Sequence, residues 1–439
     1  MKKIELDNFR CYDHLEIEFK KGINLLIGDN GGGKTSLLQA CKYVLSSFFS
    51  GFSDENTKWI SPGNEDFRVI VDKRGYQHSD LPVKILFSLD RDEFPLSEGE
   101  AFFSIEKRSR KNSRALAAGL KAYRDYAKSL QNVSPIRLEA PEALPLFSYF
   151  STEDIHTSRK NSDSRNRFKA YNLKRSFGYY DCLSGGGFFA DWIKRLLVLE
   201  EAQKGQVEMD IVRDSVLTVL GQKGCNIICG MEVRPQVGGV FFHFTDGREV
   251  EVALLSDGYK RLVYLVTDIA FRAAILNGSI YGREAPLKTR GTVLIDEVDL
   301  HLHPKLQATV VRGLRSAFPK LQFIITTHAP MVMSGVKTEE DSIVYQLAYS
   351  NESGYSFRVA TTYGMDLSSI SEVVLGQTPR DQVTEDLLER LFRYIDDGEE
   401  QKARVLLRDM QQIYGDSLPE MAKAEAMLSF FLINDEEDN

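Results

Sequence analysis

Apolar and polar residues alternate along residues 2–7 and 15–27, the period of half-buried strands. From Lys34 the period lengthens to that of a helix, with Leu37, Leu38, Cys41, Val44 and Leu45 on one face. The chain therefore opens as strand, glycine loop, helix. Further strands are predicted at Arg68–Val71 and Val83–Leu89, and a buried one at Leu144–Phe150. Residues 104–135 are basic, contain Ser and Asn, and read as an inserted helical or loop element. Residues 150–187, polar and rich in Ser, Arg and Asn with SGGG at 184–187, read as a mobile loop ahead of a helix through Trp192, Leu196 and Leu199. A hairpin is predicted within 230–254, then a long helix from about Asp257 to Leu276, because Leu262, Leu265, Val266, Ile269 and Ala273 share one face. A strand at Thr292–Ile295, a helix starting near Pro304 and a strand at Leu321–Thr326 complete an α/β half. Beyond Leu375 the pattern is helical, with helices at about 384–395, 399–413 and 418–432 joined by Gly398 and Gly415.

Composition narrows the class. With 43% hydrophobic and 27% charged residues over 439 positions, the chain is an ordinary globular protein with length for a large core. The start, MKKIELDNFR, is followed by no apolar stretch of signal length, and no run of about 18 apolar residues occurs. A cytoplasmic protein with no membrane partner is expected. Cys11, Cys41, Cys182, Cys225 and Cys229 are scattered, and Cys225-x3-Cys229 has no second pair, so buried free thiols are expected rather than disulfides or a zinc site. The net charge of −8 hides an asymmetry. Lys107, Arg108, Arg110, Lys111, Arg114, Lys121, Arg124 and Lys128 crowd one segment, and Arg159, Lys160, Arg165, Arg167, Lys169, Lys174 and Arg175 another, while the tail from Asp381 is acidic. Such basic runs are either DNA-contacting surfaces or merely solvated faces.

Chemistry concentrates at three strand ends. Gly28-Asp29-Asn30-Gly31-Gly32-Gly33-Lys34-Thr35 meets the phosphate-loop pattern G-x-x-x-x-G-K-[ST] at every fixed position, between a strand ending at Ile27 and a helix beginning at Lys34. Glycines let the backbone fold round phosphates with its N–H groups inward, and the helix start adds partial positive charge. Lys34 is expected on the β- and γ-phosphates of ATP and Thr35 on Mg²⁺, with Gly28, Asn30, Gly31, Gly32, Gly33 and Ser36 completing the loop set. Gly291–Ile295 is an apolar strand ending in Asp296 and Glu297, the pattern of a Walker B element. Asp296 is expected on the Mg²⁺ shell and Glu297 as the base that polarises water. Ile324-Ile325-Thr326-Thr327-His328 ends in a histidine suited to sense the γ-phosphate or position that water. Ser256 reads as the N-cap of the long helix, and the exposed N–H groups there make with Gly258 a second anion site, or else a plain cap that needs no ligand.

Together, Asn8-Phe9-Arg10, GDNGGGKTS, LSDGYKR, LIDEVDLHLHP and TTHAP resemble, in order and spacing over about residues 1–345, the SMC/RecF-like branch of ABC ATPases. The resemblance implies an α/β fold: an ABC-type P-loop NTPase head, a mixed sheet with helices, at 1–375 with an inserted basic helical and loop region at about 104–205, and an acidic helical C-terminal region at 376–439. It further implies that Ser256, Asp257 and Gly258 form a signature offered to ATP on the opposite subunit's P-loop. Asp299 would be the D-loop residue of a homodimer closed through its ATP sites. The histidines of His301-x-His303 take D-loop and helix-start roles on this reading, ahead of a metal site. Asp257 stands where transporters of the ABC class usually carry glycine, which fits the SMC-like branch. About 220 residues separate Lys34 from Leu255, too few for long coiled-coil arms, and no heptads or nuclease domain follow. That compact architecture resembles the PtuA ATPases of Septu antiphage defence. It implies a higher homo-oligomer, an HNH nuclease partner like PtuB, and a nucleotide-dependent role regulating that nuclease. Two rival expectations stand beside it: a RecF-like repair or clamp ATPase acting on DNA alone, and a tight ATP-binding scaffold with little hydrolysis.

Overall fold

The opening alternation folds as an antiparallel pair, Lys3–Phe9 (β1) and Tyr12–Glu18 (β2), and the apolar run after it as Ile23–Ile27 (β3). The single strand expected over 15–27 is thus two. The chain turns at Lys20–Gly22, where the Lys20 N–H donates to Asn24 Oδ1 at 2.7 Å and the Asn24 amide donates back to Lys20 O at 2.8 Å. The computed structural model describes all residues except 54–57, 73–74, 112–113, 132–141, 153–172, 186–187, 351–353, 377–379, 416 and 438–439. In chain order there follow α1 (Lys34–Ser46), β4 (Val69–Asp72), β5 (Gly75–His78), β6 (Val83–Leu89), β7 (Ala101–Lys107), α2 (Lys121–Gln131), β8 (Leu146–Phe150), α3 (Phe189–Glu201), α4 (Gln206–Leu220), β9 (Ile228–Arg234), β10 (Gly239–Phe244), β11 (Glu249–Glu251), α5 (Asp257–Tyr281), β12 (Gly291–Ile295), α6 (Val310–Ala317), β13 (Leu321–Thr326), β14 (Ile343–Ser350) and β15 (Gly354–Val359). Three helices end the chain, α7 (Gln382–Asp396), α8 (Glu400–Tyr414) and α9 (Pro419–Glu437).

The chain divides into two compact units, Met1–Ile370 and Ser371–Asn439. In the first, a six-stranded sheet runs in the order β15-β14-β3-β13-β12-β8, parallel except for the antiparallel edge strand β15. Its central strands are buried at nearly every position, as both covered faces of a parallel sheet require. An antiparallel sheet β2-β1-β6-β7 and a three-stranded sheet β11-β10-β9 accompany it. The architecture is therefore the expected α/β one, a mixed sheet with helices. The region expected as inserted helix or loop starts with a sheet strand, β7, before α2 begins.

Helix α5 is the core of this unit, with every residue from Arg261 to Asn277 buried. Together with the following turn it is long and apolar enough to cross a membrane, but 78% of its apolar window is covered by the protein itself, so it reads as a core helix. Its polar residue Asp268 is fully buried and saturated: it accepts from Ser148 Oγ (3.0 Å), Trp192 Nε1 (2.7 Å), and Arg272 Nε and Nη2 (2.6 and 3.0 Å). One carboxylate thus joins α5 to β8 and α3. In the second unit, α7, α8 and α9 close over Leu388, Leu391, Ile395, Leu407, Met410 and Leu428. Asp381 caps α7, accepting from Val383 N and Thr384 N at 3.0 and 3.1 Å.

Candidate functional site

The register of the central sheet brings three strand ends to one level: Ile295 pairs with Ile325, and Ile325 with Leu25. The crevice beyond the carboxyl ends of such strands is where ligands bind in open α/β sheets. The loop after β3 is glycine-rich for reasons visible in its contacts. Gly28 has φ +134°, and a Cβ there would meet Leu347 O at 2.0 Å; Gly33 has φ +92°, and a Cβ there would meet Tyr12 Oη at 2.3 Å. The Tyr12 hydroxyl donates to Gly33 O at 2.9 Å. Lys34 begins α1 and is 6% exposed, its ammonium donating to the carbonyls of Gly28 (2.7 Å) and Asp29 (2.8 Å). Burial holds its amine below the ordinary lysine value, against the opposing pull of Asp29, Asp296, Glu297 and Asp299.

Asp296 and Glu297 follow β12 directly, and Thr326 at the end of β13 organises both. The Thr326 hydroxyl donates to Asp296 Oδ1 at 2.6 Å and accepts the Glu297 N–H at 2.7 Å. Thr35 Oγ1 stands 3.5 Å from Asp296 Oδ2, and buried Arg261 donates from Nη2 to the Asp296 carbonyl at 2.7 Å. Glu297 adopts φ +50°, a left-handed conformation that costs a non-glycine residue about 1–3 kcal/mol and persists only where neighbours enforce it. The bonds from Glu297 N to Thr326 Oγ1 and from Val298 N to Thr326 O (3.1 Å) are that enforcement.

Asn30, Gly31, Gly32, Gly33, Lys34, Thr35, Ser36, Asp296, Glu297 and His328 line one cavity of about 260 Å³, together with Thr326 and Cys11. Thr326 and Cys11 were not foreseen from sequence; the first is signalled only by its place in the TTH segment, and the second by nothing local. Burial lifts the Cys11 thiol above its ordinary value, against a hydrogen bond with Ser36. Ser256, Asp257, Gly258 and Asp299 do not line this cavity. Ser256 occupies the N-cap position of α5, but its side chain makes no capping hydrogen bond and is exposed, which corrects the expected cap. Gly258 is buried against the 299–303 loop, where a Cβ would meet His301 O at 2.2 Å, and Asp299 Oδ1 accepts from Thr327 Oγ1 at 2.5 Å. His303 caps the short helix Pro304–Gln307, its Nδ1 accepting from Lys305 N at 3.3 Å.

Other expectations fare unevenly. Cys41 and Cys182 are buried and Cys11 and Cys225 half-buried, but Cys229 is exposed, against the expectation of buried thiols throughout. Lys107 is buried in β7, so it cannot belong to a basic surface. Arg175 is spent on structure, donating to Leu276 O at 2.6 Å and Glu142 O at 2.7 Å. Arg159, Lys160, Arg165, Arg167 and Lys169, with most of the loop expected to be mobile, lie outside the described residues.

Residues 23–334 match the family described as AAA domain, putative AbiEii toxin, Type IV TA system. The chain is 27% identical over 401 residues to a retron Vc95 probable ATPase of Vibrio cholerae serotype O1 biovar El Tor, spanning 79% of this chain and 74% of that protein. It is 24% identical over 404 residues to the Septu protein PtuA of Bacillus thuringiensis, spanning 86% of this chain and 84% of the relative. Among solved structures, an SMC head bound to the C-winged helix domain of ScpA aligns over 82% of this chain and 98% of that one, with 16% identity and a TM-score of 0.46.

Proposed function

We propose a working cycle from one premise: the chain belongs to the AAA-domain family described as putative AbiEii toxin, Type IV TA system, and is an ATPase of the SMC/RecF-like class related to those of retron and Septu defence systems. ATP sits with its phosphates on Gly28–Ser36 of one copy and is closed over by Ser256, Asp257 and Gly258 of a second, with Asp299 at the interface between them. The cavity of about 260 Å³ falls below the roughly 300–1,000 Å³ of sites that enclose a drug-sized ligand, so a single copy covers only part of a nucleotide. Exposed Ser256 and Asp257 are the groups free to cover the rest.

Thr35 Oγ1 and Asp296 Oδ2 would hold Mg²⁺; two oxygen donors 3.5 Å apart suit a hard cation that keeps most of its water. The bound ion would neutralise charge on the β- and γ-phosphates. Lys34 leaves its loop carbonyls for the phosphate oxygens, whose negative charge favours the ammonium against the cost of its burial. Glu297 takes a proton from water as its oxygen bonds to the γ-phosphorus; the bond to the ADP oxygen breaks, giving ADP and phosphate. His328 orients that water or the γ-phosphate. The observation that carries this reading is the convergence of Lys34, Thr35, Asp296, Glu297 and His328 on one cavity from three parallel strands.

Joining and parting of copies then regulates an HNH nuclease partner and its hold on DNA, within a higher oligomer in the cytoplasm. Relatedness over most of the chain to retron and Septu ATPases supports this step. Phosphate release by wild type and Glu297→Gln tests the chemistry, with ATP-dependent dimerisation followed by sedimentation. The variant is expected to bind ATP, dimerise and lose at least about a hundredfold in turnover. Equal phosphate release from both proteins removes Glu297 as the base. Reconstitution with an HNH nuclease encoded beside this chain tests the partner step: DNA cleavage indifferent to ATP and to Glu297→Gln would refute nucleotide control.

A further inference from the structure

Cys11 and Ser36 line the cavity beside the phosphate loop, and Asp296, Glu297 and His328 belong to the same lining. With the triphosphate on that loop, as proposed above, a cavity of about 260 Å³ covers only part of a nucleotide, and the base lies outside it.

An aromatic ladder begins beside Cys11, one of the residues that line the cavity. Cys11 Sγ and Tyr12 Oη flank Gly33, 3.2 and 2.3 Å from where its Cβ would be. The Tyr12 ring packs edge-on against Tyr355 with centroids 5.6 Å apart, and Tyr355 lies against Tyr349 with centroids 4.8 Å apart at 51°. The ladder runs from a fully covered ring to an open one: Tyr12 is 1% exposed, Tyr355 half-buried and Tyr349 57% exposed. Both outer tyrosines stand on the β14–β15 hairpin as direct cross-strand partners. That hairpin is seated on the phosphate loop itself, since the carbonyl of Leu347 abuts both Gly28 and Gly32, 2.0 and 3.1 Å from where their Cβ atoms would be.

We infer that Tyr349 and Tyr355 are the platform on which the base of the bound nucleotide stacks. The inference rests on the nucleotide reading above. The chemistry recognised is a flat aromatic heterocycle. Stacking accepts any base with a π-face, so the platform contributes affinity and placement with little choice between adenine and guanine. Tyr355 is a positioning residue here; its ring, and not its hydroxyl, does the work.

Magnesium-dependent binding of ATP, GTP and inorganic tripolyphosphate to wild type, Tyr349→Ala/Tyr355→Ala and Tyr355→Phe distinguishes the possibilities. The double alanine variant should lose about tenfold or more for both ATP and GTP, with tripolyphosphate affinity unchanged and Tyr355→Phe like wild type throughout. ATP affinity within twofold of wild type in the double variant overturns the inference and leaves the nucleotide site intact. Equal weakening of ATP and tripolyphosphate also overturns it, because the loss then lies in the phosphate loop. Wild-type protein that binds neither ATP nor tripolyphosphate sinks the underlying nucleotide reading.

Discussion

Replacing Thr326 by valine removes one hydroxyl and preserves the side chain's shape, at a position with no exposed surface. Two bonds disappear: the 2.6 Å donation to Asp296 Oδ1 and the 2.7 Å acceptance from the Glu297 N–H. The first is a hydrogen bond to a charged group, worth about 1.5–3 kcal/mol, and the second leaves a backbone donor without its partner at about 1–3 kcal/mol. Their sum predicts a loss of about 2.5–6 kcal/mol, large against the whole stability of a folded unit. Thr326→Ser keeps the hydroxyl and drops one methyl, at about 1 kcal/mol. Both tryptophans, Trp59 and Trp192, lie in the Met1–Ile370 unit, so urea unfolding followed by tryptophan fluorescence reports on that unit alone. The expected order of midpoints is wild type, then serine, then valine, at unchanged slope. Turnover should follow the same order, because the left-handed backbone of Glu297 loses its tether. A valine variant within about 0.5 kcal/mol of wild type, or a serine variant less stable than the valine, would refute the assignment of that hydroxyl.

Two further outcomes follow from side chains away from the cavity. Asp268→Asn should cost about 3–5 kcal/mol in the same unfolding experiment, because it leaves buried Arg272 without its counter-charge while Trp192 Nε1 and Ser148 lose their acceptor's charge. His14, 2.8 Å from Asp7 Oδ1, titrates above the ordinary histidine value because that hydrogen bond favours the imidazolium. The stabilisation is complete below pH 6.5 and fades as pH rises through the raised folded value; histidine NMR titration of Asp7→Asn should show the value fall back, and an unchanged titration would refute the cause.

What was legible in the sequence is whatever short-range pattern determines. Strand and helix periods located β6, β12, β13, α1 and α5 closely, because each buries a face that its own residues define. The turn at Lys20–Gly22 was missed although Lys20-Lys21-Gly22 interrupts the alternation; beside its local bonds to Asn24, a remote one holds it, the Gly22 N–H donating to Asp341 O at 2.6 Å. Cys11, Tyr349 and Tyr355 escaped notice because distant parts of the chain set their neighbours. Sheet order sets β14 beside β3 across more than three hundred residues of chain, and no local motif announces that juxtaposition. The expected Ser256 cap fails in the opposite way: its residue type fits an N-cap, yet the side chain is exposed and makes no capping bond, so the local rule does not decide its use.

The start of α5 is tied to the acids of its own chain, which makes Gly258 a test of coupling between copies. Its missing Cβ lets the His301 carbonyl approach, and His301 itself adopts φ +63°. Two residues before it Asp299 is held by Thr327, next to His328, and one helical turn into α5 Arg261 holds the Asp296 carbonyl. If two copies close as proposed, a displacement of Ser256 is expected to reach the acids and the histidine through these neighbours. Gly258→Ala places a methyl 2.2 Å from His301 O, a distance that backbone atoms on one side must yield. The phosphate loop is untouched, so ATP affinity of the isolated copy should stay within about twofold, while ATP-dependent dimerisation and turnover fall together by at least about tenfold. Sedimentation of Gly258→Ala in the Glu297→Gln background decides the matter: dimers formed as readily as with Glu297→Gln alone would show that this helix start carries no load between copies.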